Sequence, residues 1–421
     1  MKIIVQKFGG TSVSDRSVRE LAIGHIEEAR GRGYAVVVVV SAMGRLGEPY
    51  ATDTLLGLVD ERDALTARDG DLLMACGETI SSAVFGAMLR ARGCGVAVLT
   101  GAQAGILTTG DFGNARILDI RPERILRELD AGRVVVVGGF QGVTQDGETT
   151  TLGRGGSDTT ATALGVALDA DFIDIFTDVD GIMTADPRIV GEAVRLDRVT
   201  YTEICNFAYQ GAKVIHPRAV ELAMQKNIPI RVRSTRGKDE GTLVTSAASP
   251  LEAWPPKDRV LTGVTHSAHL TQVRVAANGQ QPHFQASVFQ AMARRRISVD
   301  FFNVAPQEVV FTVPERDVER TLEALKELDA RVQTVPQVAK VAAVGAGIHG
   351  VPGVMARIVE ALAAENVEIL QSADSNTTIW CLVHDGDLAR AVQAIHSKFD
   401  LHAIGGGEDV WPIAHGDGHA V

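Results

Sequence analysis

Cysteine is scarce in this chain: Cys76, Cys94, Cys205 and Cys381 are all there are among 421 residues. They lie far apart and in no paired metal-type spacing, which argues against a disulfide scaffold and fits a reduced, cytosolic compartment. Positive charge is in deficit, with 41 Lys plus Arg against 52 Asp plus Glu and a formal net charge of -11. A general nucleic-acid binder or a binder of acidic membranes needs a concentrated positive surface, so both classes are disfavoured, although a few local donors can still hold a phosphate. The one dense basic run, Arg294-Arg295-Arg296, reads as a solvated helix end. No 18-residue apolar run suggests a membrane span, and Met1 leads directly into a strand-like stretch ending at Phe8 with no secretory pattern. The usual P-loop, the protein-kinase signatures and the G-x-G-x-x-G dinucleotide fingerprint are all missing.

What is present is apolar and rich in glycine. Hydrophobic residues make up 45% and charged residues 22%, enough to bury a substantial core, and the length exceeds one ordinary domain. Glycine numbers 43, roughly a tenth of the chain where about 7% is typical. The first half alternates strand and helix signals. Strands are expected at 2–8, 35–40, 96–99, 134–137 and 172–176, and helices at 18–30, 71–92, 122–129 and 159–168. Near-continuous Val runs at 35–40 and 134–137 suit strands buried on both faces of a largely parallel sheet. A linker-like stretch with Trp254 and Pro255-Pro256 follows at 246–260.

Beyond it, residues 297–328 and 367–398 align without a gap at an offset of 70. Each copy reads strand, turn, strand, amphipathic helix, and each is preceded by a further strand and helix, giving two β-α-β-β-α-β units. Such small units are expected to bury apolar surface against one another or against another chain. The last residues, rich in Gly, Asp and His with His415 and His419, read as a loose tail.

Three polar segments sit where strands end. Lys7-Phe8-Gly9-Gly10-Thr11-Ser12 offers a tight turn, amides for an anion and a lysine over a phosphoryl group. Gly153-Arg154-Gly155-Gly156-Ser157-Asp158 precedes a helix that Ser157 or Asp158 can cap, and the planar fork of Arg154 suits a carboxylate. The stretch from Thr177 and Asp178 through Met183 to Asp186 and Arg188 gathers carboxylates and hydroxyls at a strand end, where open α/β sheets place ligands. Ordinary turn chemistry would explain parts of each. Together they point to a phosphoryl-transfer enzyme, with a nucleotide-sensing binding protein as the rival; a lysine beyond the nucleotide loop, Lys213, favours the enzyme.

These motifs, with Gly77-Glu78 and Gly211 to Arg218, resemble the aspartate kinases in order and spacing, over about residues 1–405. Segments at 6–13, 41–50, 201–213 and 371–380 look especially like the diaminopimelate-sensitive type of spore-forming Gram-positive bacteria. The resemblance implies an α/β amino-acid-kinase fold, three-layered with a mainly parallel sheet, over 1–245. After the linker it implies two α+β ferredoxin-like ACT domains at 261–336 and 337–405, then a flexible tail at 406–421. It implies ATP with Mg2+ as cofactors and L-aspartate as substrate, phosphorylated on its side-chain carboxylate in the first step toward diaminopimelate, lysine, threonine and methionine.

Carried over residue by residue, Lys7, Asp158 and Lys213 are the catalytic set. Lys7, Phe8, Gly9, Gly10, Ser41, Thr177, Asp178, Met183, Asp186, Arg188, Lys213 and Val214 would face the nucleotide. Thr11, Thr52, Glu78, Arg154 and Ser157 would face aspartate. No protein metal ligands are expected, the Mg2+ being held mainly by phosphates. An amino-acid effector, meso-diaminopimelate with lysine or threonine as alternatives, and a homo-oligomer formed through the ACT domains are also implied, with no nucleic-acid or membrane partner. Met183 stands where Tyr is usual, and 277–282 departs from the common Pro-Gly pattern that Val351-Pro352-Gly353-Val354 keeps. Kinases of glutamate or acetylglutamate would share the phosphate logic, but Glu78 with Arg154 and the two ACT-like units argue against them.

Overall fold

The computed structural model describes residues 1–212, 214–246, 260–348 and 350–403. Lys213, most of the expected linker, and the tail with His415 and His419 therefore lie outside the described residues. Two compact units emerge. The first comprises 1–182, 195–209 and 214–246, and the second comprises 183–194, 210–212 and 260–403.

The first unit runs β1 (Ile3–Phe8), α1 (Arg16–Gly31), β2 (Ala35–Val40), α2 (Thr52–Leu56), α3 (Ala67–Ala91), β3 (Val96–Leu99), β4 (Ile106–Thr108), β5 (Ile117–Ile120), α4 (Glu123–Asp130), β6 (Val134–Gly138), β7 (Gln141–Val143), β8 (Thr149–Thr151), α5 (Gly156–Ala167), β9 (Phe172–Thr177), β10 (Arg198–Thr200), α6 (Tyr201–Tyr209), α7 (Pro217–Lys226), β11 (Ile230–Ser234) and β12 (Thr242–Thr245). Its main sheet has the order β10-β12-β11-β9-β1-β2-β6-β3 and is parallel except where β11 meets β12.

Alternation along the strands splits the core into two faces. Ile4, Phe8, Val36, Val38 and Val40 pack with Ile23 and Ile26 of α1 and with Phe85 and Leu89 of α3. On the opposite face α5 comes so close that a Cβ on Gly165 would lie 2.5 Å from Ile173 Cδ1. This is the three-layer arrangement the sequence implies. α3 is long and apolar enough to cross a membrane by composition alone, yet Phe85 and Leu89 are buried in the core.

Local chemistry sets the helix ends. Asp15 accepts the N–H groups of Ser17 and Val18 at the start of α1, and Thr66 accepts that of Asp69 at the start of α3. The expectation that Ser157 or Asp158 caps α5 does not hold. The cap is Gly155, in left-handed conformation at φ 70° and with no side-chain cap bond, and both other residues sit in the first helical turn. A small sheet, β5-β4-β7-β8, was not legible, because strands of three and four residues carry too few alternations.

The second unit carries β13 (Gly263–Ala277), α8 (Phe284–Arg294), β14 (Asp300–Ala305), β15 (Glu308–Pro314), α9 (Val318–Leu325), β16 (Ala330–Val344), α10 (Val354–Ala364), β17 (Gln371–Asp374), β18 (Thr378–His384) and α11 (Leu388–Lys398). The repeat is visible in the helix starts, 284 against 354 and 318 against 388. A left-handed residue precedes the first helix of each copy, His283 at φ 61° and Gly353 at φ 87°. The first copy thus keeps the conformation while lacking the glycine that makes it inexpensive. α8 ends at Arg294, and Arg294 and Arg295 pair at the surface with Glu327, as the basic run suggests.

The two copies share one antiparallel sheet, β14-β15-β13-β16-β18-β17. β13 and β16 are long enough to run through both halves and pair along nearly their whole length. Val273 and Val275 of β13 enter one core with α8 and α9, whereas Val264 enters the other with α10 and α11. Leu261, within the span expected for the first small domain, packs in that second core, as do Ala185 and Val190 from the stretch between β9 and β10.

In the first unit, Asp174 on β9 is fully buried and accepts a forked pair of bonds from Arg231 at 2.7 and 3.0 Å, with Arg233 at 3.6 Å and Gln6 Nε2 at 3.2 Å. Asp174→Ala leaves two arginines without this partner. It is expected to cost about 3–5 kcal/mol, read as a lowered urea midpoint of the whole chain.

Candidate active site

The C-terminal ends of parallel β1, β2 and β9 lie side by side, so the segments that leave them meet at one rim of the sheet. After β1 the chain turns at Gly9 and Gly10, with Ser12 N–H bonded to Gly9 O at 2.8 Å. A Cβ on Gly10 would lie 2.7 Å from Gly44 O and 3.0 Å from Ala42 O, so only glycine lets the loop after β2 rest on this turn. Gly44 N–H in turn donates to Gly10 O at 3.0 Å. Ser12 is buried and accepts the Thr235 hydroxyl at 2.6 Å, which ties the turn to the end of β11.

Lys7, the penultimate residue of β1, places its Nζ 2.7 Å from Asp158 Oδ1 in the first turn of α5. The two side chains are only 13% and 12% exposed, so solvent screens the pair weakly. The other oxygen, Asp158 Oδ2, accepts the His216 N–H at 3.3 Å. A Cβ on Gly9 would stand 3.3 Å from Lys7 Nζ, which puts the glycine turn directly beside the ammonium.

Glu78 lies on α3, buried at 2% exposure. Gly77 lets the helix approach, since a Cβ there would fall 2.8 Å from Ala42 Cβ and 3.0 Å from Tyr50 O. Glu78 Oε1 accepts the Ala42 N–H at 3.0 Å, whereas Oε2 has no partner among the described residues. Burial pushes its pKa up to about 8, against the opposing pull of that backbone donor. The circuit closes through β6: a Cβ on Gly138 would lie 3.5 Å from Glu78 Cβ, and one on Gly139 would lie 2.8 Å from Ser157 Oγ.

Lys7, Gly9, Gly10, the 41–44 loop, Glu78, Ser157 and Asp158 are therefore brought together. Phe8 belongs to the core instead, its ring stacked on Phe176 at 4.7 Å, which leaves only its main chain for a ligand. Ser41 is tied to β1 by its N–H to Phe8 O at 3.1 Å. Thr11 sits half-buried in the glycine turn, Thr52 opens α2, and Val214 precedes α7. Arg154 is exposed at the crest of its glycine loop. Thr177 ends β9, and Asp178 beyond it pairs with Arg45 at 2.7 Å. Met183, Asp186 and Arg188 are carried by the second unit, where Asp186 accepts a forked bond from Arg188 and its N–H at 2.9 Å. This pairing holds the Asp186 carboxyl below its usual range. Lys213 lies outside the described residues.

Three supporting residues were not singled out from the sequence. Arg45 and His216 act through partners distant in the chain, which no local pattern reveals. Gly139 was findable, as the second glycine after a buried valine strand. Among the described residues no cluster of three or more His, Cys, Asp or Glu side chains is arranged to hold a metal.

Comparison with known proteins identifies the family. Residues 2–234 match the amino acid kinase family, and residues 333–397 match the ACT domain. Aspartokinase 1 of Bacillus subtilis is 57% identical over 402 residues, which is 95% of this chain and 100% of that protein. The crystal structure of E. coli aspartokinase III in complex with aspartate and ADP, in the R-state, superposes with a TM-score of 0.78 at 27% identity, over 95% of this chain and 100% of that one. The same enzyme in complex with lysine and aspartate, in the T-state, gives 0.73 at 27% identity, over 94% and 99% of the two chains. The 57% identity to Aspartokinase 1 over nearly the whole chain, with the amino acid kinase match at residues 2–234, makes this chain a member of the aspartokinase family.

Proposed function

We propose that the chain transfers the γ-phosphoryl group of ATP to the side-chain carboxylate of L-aspartate. The product is 4-phospho-L-aspartate, the first intermediate toward diaminopimelate, lysine, threonine and methionine. The observation that carries the site assignment is the weakly hydrated Lys7–Asp158 pair beside the Gly9-Gly10 turn, with the unpaired Glu78 oxygen close by. A carboxylate oxygen attacks the γ-phosphorus, a new P–O bond forms, the bond to the bridging oxygen breaks and ADP leaves. The acceptor is already ionised near neutral pH, so no general base is needed. What the protein must offset is repulsion between two anions. Lys7 and the turn amides supply positive charge to the phosphoryl oxygens, and Lys213 is assigned the same role from the sequence motif.

Glu78 receives the substrate ammonium on its free oxygen, and Arg154 takes a substrate carboxylate, so the nucleophile is oriented. Asp158 organises Lys7 and takes no proton. Mg2+ would be held mainly by the phosphates of ATP and would supply charge neutralisation there. Ser41, Thr177, Asp178 and Val214 line the nucleotide's path in this reading, with Thr11, Thr52 and Ser157 on the aspartate side; Met183, Asp186 and Arg188 are assigned to the nucleotide from the sequence motif alone. The enzyme works in the cytoplasm, a reading supported by its sparse and unpaired cysteines. The ACT units assemble between chains and bind an amino-acid effector, meso-diaminopimelate being favoured by the sequence segments that resemble the diaminopimelate-sensitive type.

Lys7→Ala is expected to lower kcat by about a thousandfold in an aspartate-dependent ADP-release assay, and Arg154→Ala to raise the aspartate KM by at least about a hundredfold. Unchanged kcat/KM in both would sink the site assignment.

Glu78 makes a pH-dependent prediction. Its pKa rises from 4.5 to about 8 on folding, so the ligand-free folded chain holds a proton that the unfolded chain releases between those values. Stability present at low pH is therefore lost as pH climbs from 4.5 toward 8. The permanently neutral Glu78→Gln removes this loss. Its Tm should exceed that of the wild type above about pH 8 and converge with it near about pH 5, measured by scanning calorimetry. An unchanged Tm difference across that range would contradict the assignment of a buried, protonated Glu78.

Titrating meso-diaminopimelate, lysine and threonine during turnover tests the effector. A response to lysine or threonine with none to meso-diaminopimelate defeats the preferred choice.

A further inference from the structure

The loop that carries Arg154 is held from two sides. On one side Asp71, fully buried on α3, accepts the N–H groups of Gly113 and Thr151 at 3.0 and 2.7 Å and the Thr151 hydroxyl at 2.8 Å. On the other side lies the start of α7. Arg218 donates through Nη1 to Leu152 O at 3.1 Å and through Nη2 to Ala115 O at 3.2 Å. One planar guanidinium thus staples the residue before the glycine loop to a neighbouring strand end. Ala115 itself is bonded back, its N–H donating to Thr151 O at 2.9 Å.

His216, two residues earlier, completes the hold. A Cβ on Gly155 would lie 2.3 Å from His216 Cγ, so the imidazole is packed against the loop backbone. Its Nδ1 accepts the Arg218 N–H at 3.3 Å as the cap of α7, and the main-chain N–H of His216 donates to Asp158 Oδ2 at 3.3 Å. Burial lowers its pKa and keeps the ring neutral, which leaves Nδ1 free to accept.

We propose that His216 and Arg218 are positioning residues for aspartate recognition: the 216–218 segment fixes the Gly153–Gly155 backbone so that Arg154 is presented in one place, and through Asp158 it sets that place relative to Lys7. The inference rests on the reading of Arg154 as a ligand for a substrate carboxylate. Gly153 and Gly155 both have positive φ, 74° and 70°, and glycine backbones of this kind lose much freedom when ordered. An exposed arginine on such a loop has no fixed position of its own, and the cost of fixing it is met before substrate arrives.

The test is steady-state kinetics on the full chain, with both substrates varied. Arg218→Gln keeps a single amide donor and loses the fork. His216→Asn keeps a cap acceptor and the main-chain N–H to Asp158 while removing the ring beneath Gly155. Each is expected to raise the aspartate KM about tenfold while the ATP KM stays within about twofold and far-UV circular dichroism is unchanged. A merely structural role would move both KM values together. Equal rises in both, or an unchanged aspartate KM in both variants, overturns the inference. Arg154→Ala in parallel separates the two levels. If it leaves the aspartate KM unchanged, the underlying reading of Arg154 fails. If it raises that KM and the two positioning variants do not, only the present inference fails.

Discussion

The ammonium of Lys7 has to stay charged, nearly dry and fixed in position at the end of β1. A free lysine side chain would lose rotamer freedom on meeting its ligand, and its strongly hydrated charge would have to be stripped of water at the same moment. Asp158 removes both costs in advance by holding Nζ at 2.7 Å. The carboxylate is itself restrained, because it sits in the first turn of α5 with its second oxygen on the His216 N–H. An acid at a helix N-terminus is also in a favourable field. Sheet, helix and α7 thus converge on one ion pair, and the pair lies directly beside the Gly9-Gly10 turn.

Burial alone does not distinguish a working carboxylate from a structural one in this unit. Asp71 is fully buried, but two backbone amides and a hydroxyl satisfy it. Asp174 is fully buried and paired with arginines. Glu78 is buried with one amide donor and one oxygen left without a partner among the described residues. A group of that kind is destabilising in isolation, which is why its pKa climbs toward 8. The deficit is what an incoming ammonium would repair. Under the proposed reading, the cost that Glu78 carries in the free protein would become preference for an amino acid over a simple dicarboxylate, since only the former brings the missing cation.

Much of this was legible in the sequence. The valine runs of β2 and β6 read as doubly buried strands, and the glycines after β1 and before α5 read as turns where backbone approaches an anion; the structure shows that Gly10, Gly155 and Gly156 also lie against other chain segments. Elements with few residues escaped notice: β4, β7 and β8 have three residues each, too few for a period to register. The cap of α5 was misread because Ser and Asp are good caps in general, whereas here both are needed inside the helix and a left-handed glycine starts it. The 70-residue repeat foretold two small units, yet not that β13 and β16 would each serve both cores: the inward positions of β13 change from even at Val264 to odd at Val273 and Val275 across the register shifts near Ser267–Gln272, a break that reads in sequence as the end of one strand. In the candidate site, residues proposed to meet ligand by their own chemistry stood out in the sequence. His216 and Arg218 stood within a quoted motif, but their roles pass through the backbone of other segments, and only coordinates reveal that.

Glycine is a costly residue to order, because its unfolded chain has the most freedom to lose. The positions where the first unit accepts that cost are informative. Gly10 admits the loop after β2, Gly77 admits the loop to helix α3, Gly139 admits Ser157 to the end of β6, and Gly155 admits the His216 ring. A methyl group at any of these would meet another atom at 2.3 to 2.8 Å. Each contact joins a different pair of segments, and Lys7, Glu78 and Asp158 each lie on or next to one of them. Side chains with carbon at these four places would push the charged groups apart by about an ångström, a displacement large enough to cost orders of magnitude in rate. Glycine enrichment in this unit therefore serves proximity: backbone is allowed to touch its neighbours so that three ionisable groups from β1, α3 and α5 can be gathered at one rim of the sheet.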